Sequence, residues 1–377
     1  MGYYFEASPY LTATWYEVLL HLLLIMNLFV LSELQFVKNH VGWLASYDLE
    51  QVIANTCNAT FIYPESNDKI RFLKRYRHRI FNSWFKTKKL PALGEGPNIL
   101  LVVGINYSAL QMMPSLGSLV KKFDLRLAYL FDSYEPRYLA KQLVPEFDYL
   151  FFPVAEIADQ VRKVFSVNAG FLPHAVNALD YGSNHHHRCI DVISYGRGNQ
   201  DLHISLQKHF NQTESEQIYF HSTFSHSQVN SYKEHKILLA KLLGKSKISL
   251  CFEPSKEERF KGYSPLLTRW LEGWAAGCTI VGRKPFGKNV AELINWENST
   301  IEIPENSAEW IPFFEELLED KEMLLANSKR NYRECLLRHD WRYRIRDMFQ
   351  TVDLPIPAHL EDEIVQLKRK AEGGLTS

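Results

Sequence analysis

At 377 residues the chain is long enough for two domains of ordinary size, each with a core of its own. Its 43 basic and 43 acidic side chains cancel, so no global field points to nucleic acid, and any electrostatic partner must be read from a local patch. The five cysteines (Cys57, Cys189, Cys251, Cys278 and Cys335) fall at no metal-ligand spacing; Cys251 and Cys278 sit in apolar strand contexts and read as reduced core residues of a cytoplasmic protein.

In chain order, the first feature is Val18 to Leu31, apolar except for His21 and Asn27. It is shorter than the ~20 residues a membrane span needs, Glu17 and Glu33 stand beside it, and no Lys or Arg precedes Lys38 as a secretory leader would require. The run is predicted as a buried helix, with an interfacial or spanning helix as the alternative. Leu49 to Asn55 reads as a short helix and Thr60 to Tyr63 as a strand. Arg71 to Lys89 is a basic, aromatic block in which Leu73, Tyr76, Ile80 and Trp84 fall near helical spacing. Such a helix either rests on an anionic membrane surface, here the inner face, or lies over the core with its charges solvated. No RNA-recognition signature accompanies it, so nucleic acid is not expected.

After the turn-rich Pro91 to Pro97 come four continuous apolar strands: Asn98–Val103, Leu125–Phe131, Phe147–Phe152 and Ala169–Leu172. Separated by helical patterns, they predict a parallel sheet covered on both faces. In such sheets ligands bind beyond the carboxyl ends of the strands. That rule selects Asn106 and Tyr107 as acceptor-binding candidates. It also selects Asp132, either as a base near an acceptor hydroxyl or simply as a helix N-cap. Pro173 to Arg188 reads as a polar linker; its His185, His186 and His187 are consecutive, point in different directions and lack other ligands, so no metal is expected.

The second half repeats the alternation. Strand Ile190–Tyr195 runs into Gly196 and Arg197, where glycine lets a backbone approach phosphate and a guanidinium can fork onto its oxygens. Helices are predicted near Leu202–Phe210, Val229–Leu243, Asn289–Asn295, Ala308–Leu318, Lys321–Leu337 and His339–Phe349, with strands at Gln217–Phe220 and Thr300–Ile303. The tail from Pro355 to Ser377 reads as a peripheral helix with a frayed end. The most informative stretch runs from Lys247 to Gly282: buried strand Ile248–Cys251, a charged loop, a helix, then buried strand Thr279–Val281. Ser264 suits the N-cap and Pro265 the first helical position, which leaves the amides around Leu266 and Leu267 as an anion site. Thr268, Arg269 and Glu272 follow, and Gly277 closes the helix in a left-handed conformation. A phosphate-binding helix start with a carboxylate farther along can hold the diphosphate and the ribose of a nucleotide.

This stretch, LTRWLEGWAAGCTIV, resembles the donor-binding segment of GT-B glycosyltransferases, near glycosyltransferase family 4 and the CgeB-like proteins. FLPHAVN is similar to the segment that ends the first domain in many of them. Family 4 carries two glutamates there with seven residues between; Glu272 matches the second, which binds donor ribose, while the first falls at Ser264. Thr268 and Arg269 resemble a Thr-Arg pair of the CgeB-like proteins, and Arg197 matches an arginine that contacts donor phosphate. The resemblance implies an α/β protein of GT-B architecture, with two Rossmann-like domains whose mostly parallel sheets face across a cleft. The acceptor-side domain would span 1–175, the linker 176–188, the nucleotide-sugar domain 189–350 and the tail 351–377. It further implies transfer from a nucleotide-sugar donor to a glycan, lipid-linked or protein acceptor, retaining and without metal or cofactor; no DxD motif is present. Two alternatives stand beside it. One is a non-catalytic surface, coat or scaffold protein on the same fold, which Ser264 in place of glutamate favours. The other is a different enzyme of this architecture, such as a sugar-nucleotide epimerase.

Overall fold

The computed structural model describes residues 26–35, 37, 39–66, 85–139, 141–185, 187–196, 198–222 and 228–373. In chain order the first lobe contains β1 (Asn27–Ser32), α1 (Leu44–Thr56), β2 (Thr60–Ile62), β3 (Glu65–Ser66), β4 (Phe85–Lys86), β5 (Asn98–Gly104), β6 (Leu125–Leu130), β7 (Tyr149–Phe152), α2 (Ala155–Phe165) and β8 (Ala169–Phe171). β3 and β4 form a short antiparallel pair; the other strands make one sheet in the order β2-β1-β5-β6-β7-β8, parallel throughout. A parallel sheet is covered on both faces, which is why β5 has every residue buried and is apolar from Ile99 onward.

The second lobe follows with α3 (Ala178–Tyr181), β9 (Ile190–Tyr195), α4 (Gln200–Phe210), β10 (Tyr219–Ser222), α5 (Tyr232–Gly244), β11 (Ser246–Phe252), α6 (Thr268–Ala275), β12 (Thr279–Arg283), α7 (Val290–Leu293) and β13 (Ile301–Glu302). α8 (Trp310–Glu319), α9 (Lys321–Arg338), α10 (Trp341–Thr351) and α11 (Ala358–Gly373) complete the chain. Its sheet has the order β10-β9-β11-β12-β13, again parallel. In each sheet the chain reverses direction beside its first strand, between β1 and β5 and between β9 and β11. Crevices at such switch points are where α/β sheets bind ligands.

Four expectations are corrected. The helix predicted over Val18–Leu31 is a strand from Asn27 on: β1 pairs in register with β5 from Asn27↔Asn98 to Ser32↔Val103. A short apolar run carries no periodicity that separates a buried strand from a buried helix. Residues 18–25 lie outside the described residues, as do 71–84 of the basic block.

Ser264 is not a helix N-cap, nor is Pro265 the first helical residue. α6 begins at Thr268 after an extended Leu267, and Ser264 Oγ instead accepts from the Phe286 amide at 3.2 Å. This long-range bond takes the hydroxyl that a cap would use, and three residues separate Ser264 from the first helical one.

Within Pro173–Arg188, read as a polar linker, His174 through Ala178 are instead buried, whereas residues 179–185 are half-buried or exposed. Asp340 Oδ2 accepts from the Ala178 and Leu179 amides at 2.7 and 3.2 Å, and its Oδ1 from the Arg342 amide at 2.9 Å, so one carboxylate caps both α3 and α10. The buried Arg342 guanidinium joins Asp340 to Glu363 and Asn177. Nor is the tail peripheral. Leu360, Ile364, Leu367 and Ala371 form one buried stripe of α11, packed on α1, α9 and α10.

α10 crosses back to the first lobe, where Trp341 meets Tyr129 and Phe131 edge-on with ring centroids 5.9 and 5.8 Å away. The loop between β11 and α6 crosses in the same direction and buries Phe260 in the first lobe's core, 4.8 Å from the Tyr134 ring.

Candidate functional site

A cavity of about 290 Å³ lies between the lobes at both switch points. Ile105, Phe131, Asp132 and His174 reach it from the first lobe, with the segment from Val41 to Ala45 at its rim. Tyr195, Gly196, His235, Arg259 and the start of α6 reach it from the second. Leu267, Thr268 and Arg269 line it where α6 begins, and no side chain caps that end. Trp270 of the first turn already donates to the Leu267 carbonyl at 3.2 Å, but the amides before it have no i−4 partner in the helix, so this end turns the positive pole of the dipole to the cavity. Gly196 faces Arg269 with a φ of +70°, a conformation that glycine adopts without strain.

Glu272, one turn into α6, is fixed at both oxygens. Oε1 accepts from Lys236 Nζ at 2.9 Å and Oε2 from the Tyr195 hydroxyl at 3.1 Å. Lys236 also pairs with Asp48 Oδ2 of α1 at 2.8 Å. Burial pushes the Asp48 carboxyl up to about 6, and the Lys236 charge only partly opposes it. Burial works against the Lys236 ammonium, yet Asp48 and Glu272 hold its pKa above the ordinary lysine range. The lysine is therefore charged at neutral pH, held by the acids on either side of it. Tyr195 is pushed well up by burial and then by the Glu272 charge, so it is a hydrogen-bond donor here.

On the opposite wall, Asp132 Oδ1 accepts from the Tyr134 hydroxyl at 3.2 Å, and Oδ2 lies 3.4 Å from Arg259 Nη1 of the second lobe. Asp132 is thus part of the contact between lobes. His174 stacks on Phe131, ring centroids 5.4 Å apart, with Nδ1 3.3 Å from the Tyr129 hydroxyl. Burial, then the Arg344 charge, lowers it to about 3, so the cavity sees a neutral imidazole.

Of the residues selected from sequence, Gly196, Leu267, Thr268, Arg269, Glu272 and Asp132 meet at this cavity. Ser264 and Pro265 instead line a smaller crevice of about 110 Å³ beside Glu156 and Lys288. Leu266 is buried in the core. Gly277 stands at the far end of α6, where a Cβ would lie 2.8 Å from Arg188 Nη2, so its part is in ending the helix. Asn106 caps the 3₁₀ segment Tyr107–Lys122 through the Ser108 amide, and the Tyr107 hydroxyl donates to the Ser133 carbonyl at 2.6 Å; both are scaffold, off the cavity. Arg197 lies outside the described residues.

Lys236, Tyr195, Asp48, His174 and Arg259 were not selected. Lys236 had a signal: Tyr232, Lys236 and Leu243 share the buried face of α5, an unusual place for a lysine. Among the described residues no group of three or more His, Cys, Asp or Glu is placed to hold a metal. No helix among them is long and apolar enough to cross a membrane.

No family model matches the chain. No curated protein matches it either. Solved structures do. Anabaena HepE, crystallised with UDP and glucose, matches with a TM-score of 0.54 at 10% identity, over 87% of this chain and 99% of HepE. HepE with UDP-glucose matches with a TM-score of 0.52 at 9% identity, over 87% and 99%. At that identity the likeness shows the fold, an α/β GT-B architecture of two parallel-sheet lobes facing a cleft.

Proposed function

We propose that this chain is a glycosyltransferase that takes its sugar from a nucleotide-sugar donor, with the diphosphate at the start of α6 and the ribose at Glu272. One observation carries the reading: the uncapped end of α6, Arg269 and Glu272 open together into the inter-lobe cavity at the second sheet's switch point. Sugar transfer builds negative charge on the leaving diphosphate. Preorganised amides and a guanidinium stabilise that charge without reorganising. Gly196 leaves room for the phosphates, and Arg197 belongs to the proposal as a further phosphate ligand. A carboxylate has about four acceptor positions. Lys236 and Tyr195 use one on each Glu272 oxygen, which leaves places for the ribose hydroxyls.

The acceptor, a glycan, lipid-linked sugar or protein, would approach from the first lobe, where Asp132 is the carboxylate nearest to act as base. Retention, metal independence, kinship with family 4 and the CgeB-like proteins, and a division of the chain near residues 175 and 189 are parts of the same proposal. So is a cytoplasmic location with contact to anionic inner-membrane lipid through Arg71–Lys89. HepE's complex with UDP-glucose makes that donor the first to try.

The test is the thermal stability of wild type and Glu272→Ala against a panel of nucleotide sugars. A ligand at 100 times its dissociation constant adds about 2.7 kcal/mol of stability. One donor is expected to shift wild type and not the variant. If no donor shifts wild type at saturating concentration, the enzyme reading is wrong and the scaffold reading replaces it.

A further inference from the structure

Lys236 joins three helices from both lobes at one ammonium. Asp48 reaches it from α1 of the first lobe at 2.8 Å, and Glu272 from α6 of the second at 2.9 Å. Its own helix, α5, supplies the stem, and the Tyr181 ring of α3 lies 5.6 Å away. The lysine, Asp48 and Glu272 side chains are 4%, 3% and 11% exposed. Taking one cation and two carboxylates out of water is expensive, and an apolar cluster of the same volume is often as stable. Such a triad therefore needs a reason beyond packing. Glu272 supplies one, because it alone of the two carboxylates also lines the cavity.

We propose that Lys236 is a positioning residue for nucleotide selection: it holds the Glu272 carboxylate in place for the ribose hydroxyls. Because Lys236 is itself held by Asp48, that selection depends on contact between the lobes. The inference rests on the donor reading above. Without Lys236, the hydrogen bond from the Tyr195 hydroxyl still holds the carboxylate, but at Oε2 and not at Oε1. Asp48 does not touch the cavity and acts through the lysine.

The experiment compares binding of UDP and 2′-deoxy-UDP by calorimetry; if wild type responds to another base, that nucleoside diphosphate and its 2′-deoxy counterpart are used. The proteins are wild type, Lys236→Met, Lys236→Arg, Asp48→Asn and the double variant Asp48→Asn/Lys236→Met. Wild type is expected to prefer the ribonucleotide by about tenfold, the worth of one hydrogen bond to a charged group. Lys236→Met should bring that preference close to unity, Lys236→Arg should keep most of it, and Asp48→Asn should fall between. Lys236→Met takes the shared cation from two buried carboxylates and is at risk of not folding. The double variant removes one acid with the base and keeps the triad's net charge, so it carries the same test.

A merely structural role would weaken both nucleotides together and leave their ratio alone. An unchanged ratio in Lys236→Met or in the double variant overturns the positioning role. An unchanged ratio in Asp48→Asn overturns the dependence on the first lobe. If wild type binds no nucleoside diphosphate, the donor reading itself falls, a result distinct from the other two.

Discussion

At Glu50 a carboxylate sits 2% exposed in α1, with Oε1 3.3 Å from the Ser46 hydroxyl and Oε2 without a partner among the described residues. Burial pushes its pKa up to about 8; the nearby Ser32 and Ser46 hydroxyls pull it down, and the neighbouring Glu33 charge pushes it further up. Between the ordinary carboxylate pKa and about 8 the folded chain keeps a proton that the unfolded chain has lost, so stability falls as pH rises through that window. Asp48, raised to about 6, adds the same slope lower in the range. Glu50→Gln should remove Glu50's share. Urea midpoints of both proteins at about pH 5 and about pH 8.5 are expected to show wild type losing ground to the variant as pH rises. A constant gap would contradict the assignment. None of this was legible from sequence, because acids along a helix are ordinarily solvated. Glu272 was legible because it sits in a recognisable motif. Lys236 showed only as a lysine on the buried face of its helix; its role was hidden because its partner Asp48 is 188 positions away and on the other lobe.

Elements were legible where the physics is local. β5, β6 and β7 are covered on both faces and therefore read as largely apolar runs, interrupted by Asn98 and Arg126 near the starts of β5 and β6. The end of α6 was equally plain: Gly277, at φ +68°, donates to Trp274 while Cys278 donates to Gly273, which satisfies the last carbonyls. Gly277→Ala should lose about 1–2 kcal/mol from the left-handed conformation, with more from the contact to Arg188. Equal urea midpoints would remove that account of the helix end. The start of α6 was misread because Ser264 answers to Phe286, 22 residues away, rather than to its own helix. α11 was misread for its charge, although Leu360, Ile364, Leu367 and Ala371 recur at helical spacing. Its burial makes a sharp expectation. Ile364→Ala should cost about 2–5 kcal/mol in chemical denaturation, the usual result of emptying a filled core position. A cost within about 0.5 kcal/mol, typical of surface sites, would return α11 to the periphery.

For the molecule as a whole, strand–helix alternation and the motif at Glu272 made two facing sheets legible, but how the sheets are fastened was hidden in pairs far apart in sequence. One apolar cluster runs from β1 and α1 through α10 and α11 into α6. On the other side of the cleft, Phe260 enters the first lobe, Gln160 Nε2 donates to the Tyr263 hydroxyl at 2.6 Å, and Lys288 pairs with Asp159 at 2.6 Å. Lobes joined only by polar surface move and unfold separately, whereas a shared apolar core makes them cooperate. Wild type is therefore expected to unfold in one transition, with tryptophan fluorescence and far-ultraviolet circular dichroism coinciding. Phe260→Ala should lower the midpoint by the equivalent of about 3–5 kcal/mol and keep a single transition, because the cluster through α10 and α11 is untouched. The same change frees the loop that leads into α6, so the cavity's anion-binding end should lose its fixed place against Asp132 and nucleotide affinity should fall with it. Two separated transitions in wild type would show that the lobes are independent. The dependence of the second lobe's ligand site on the first would then have no physical basis.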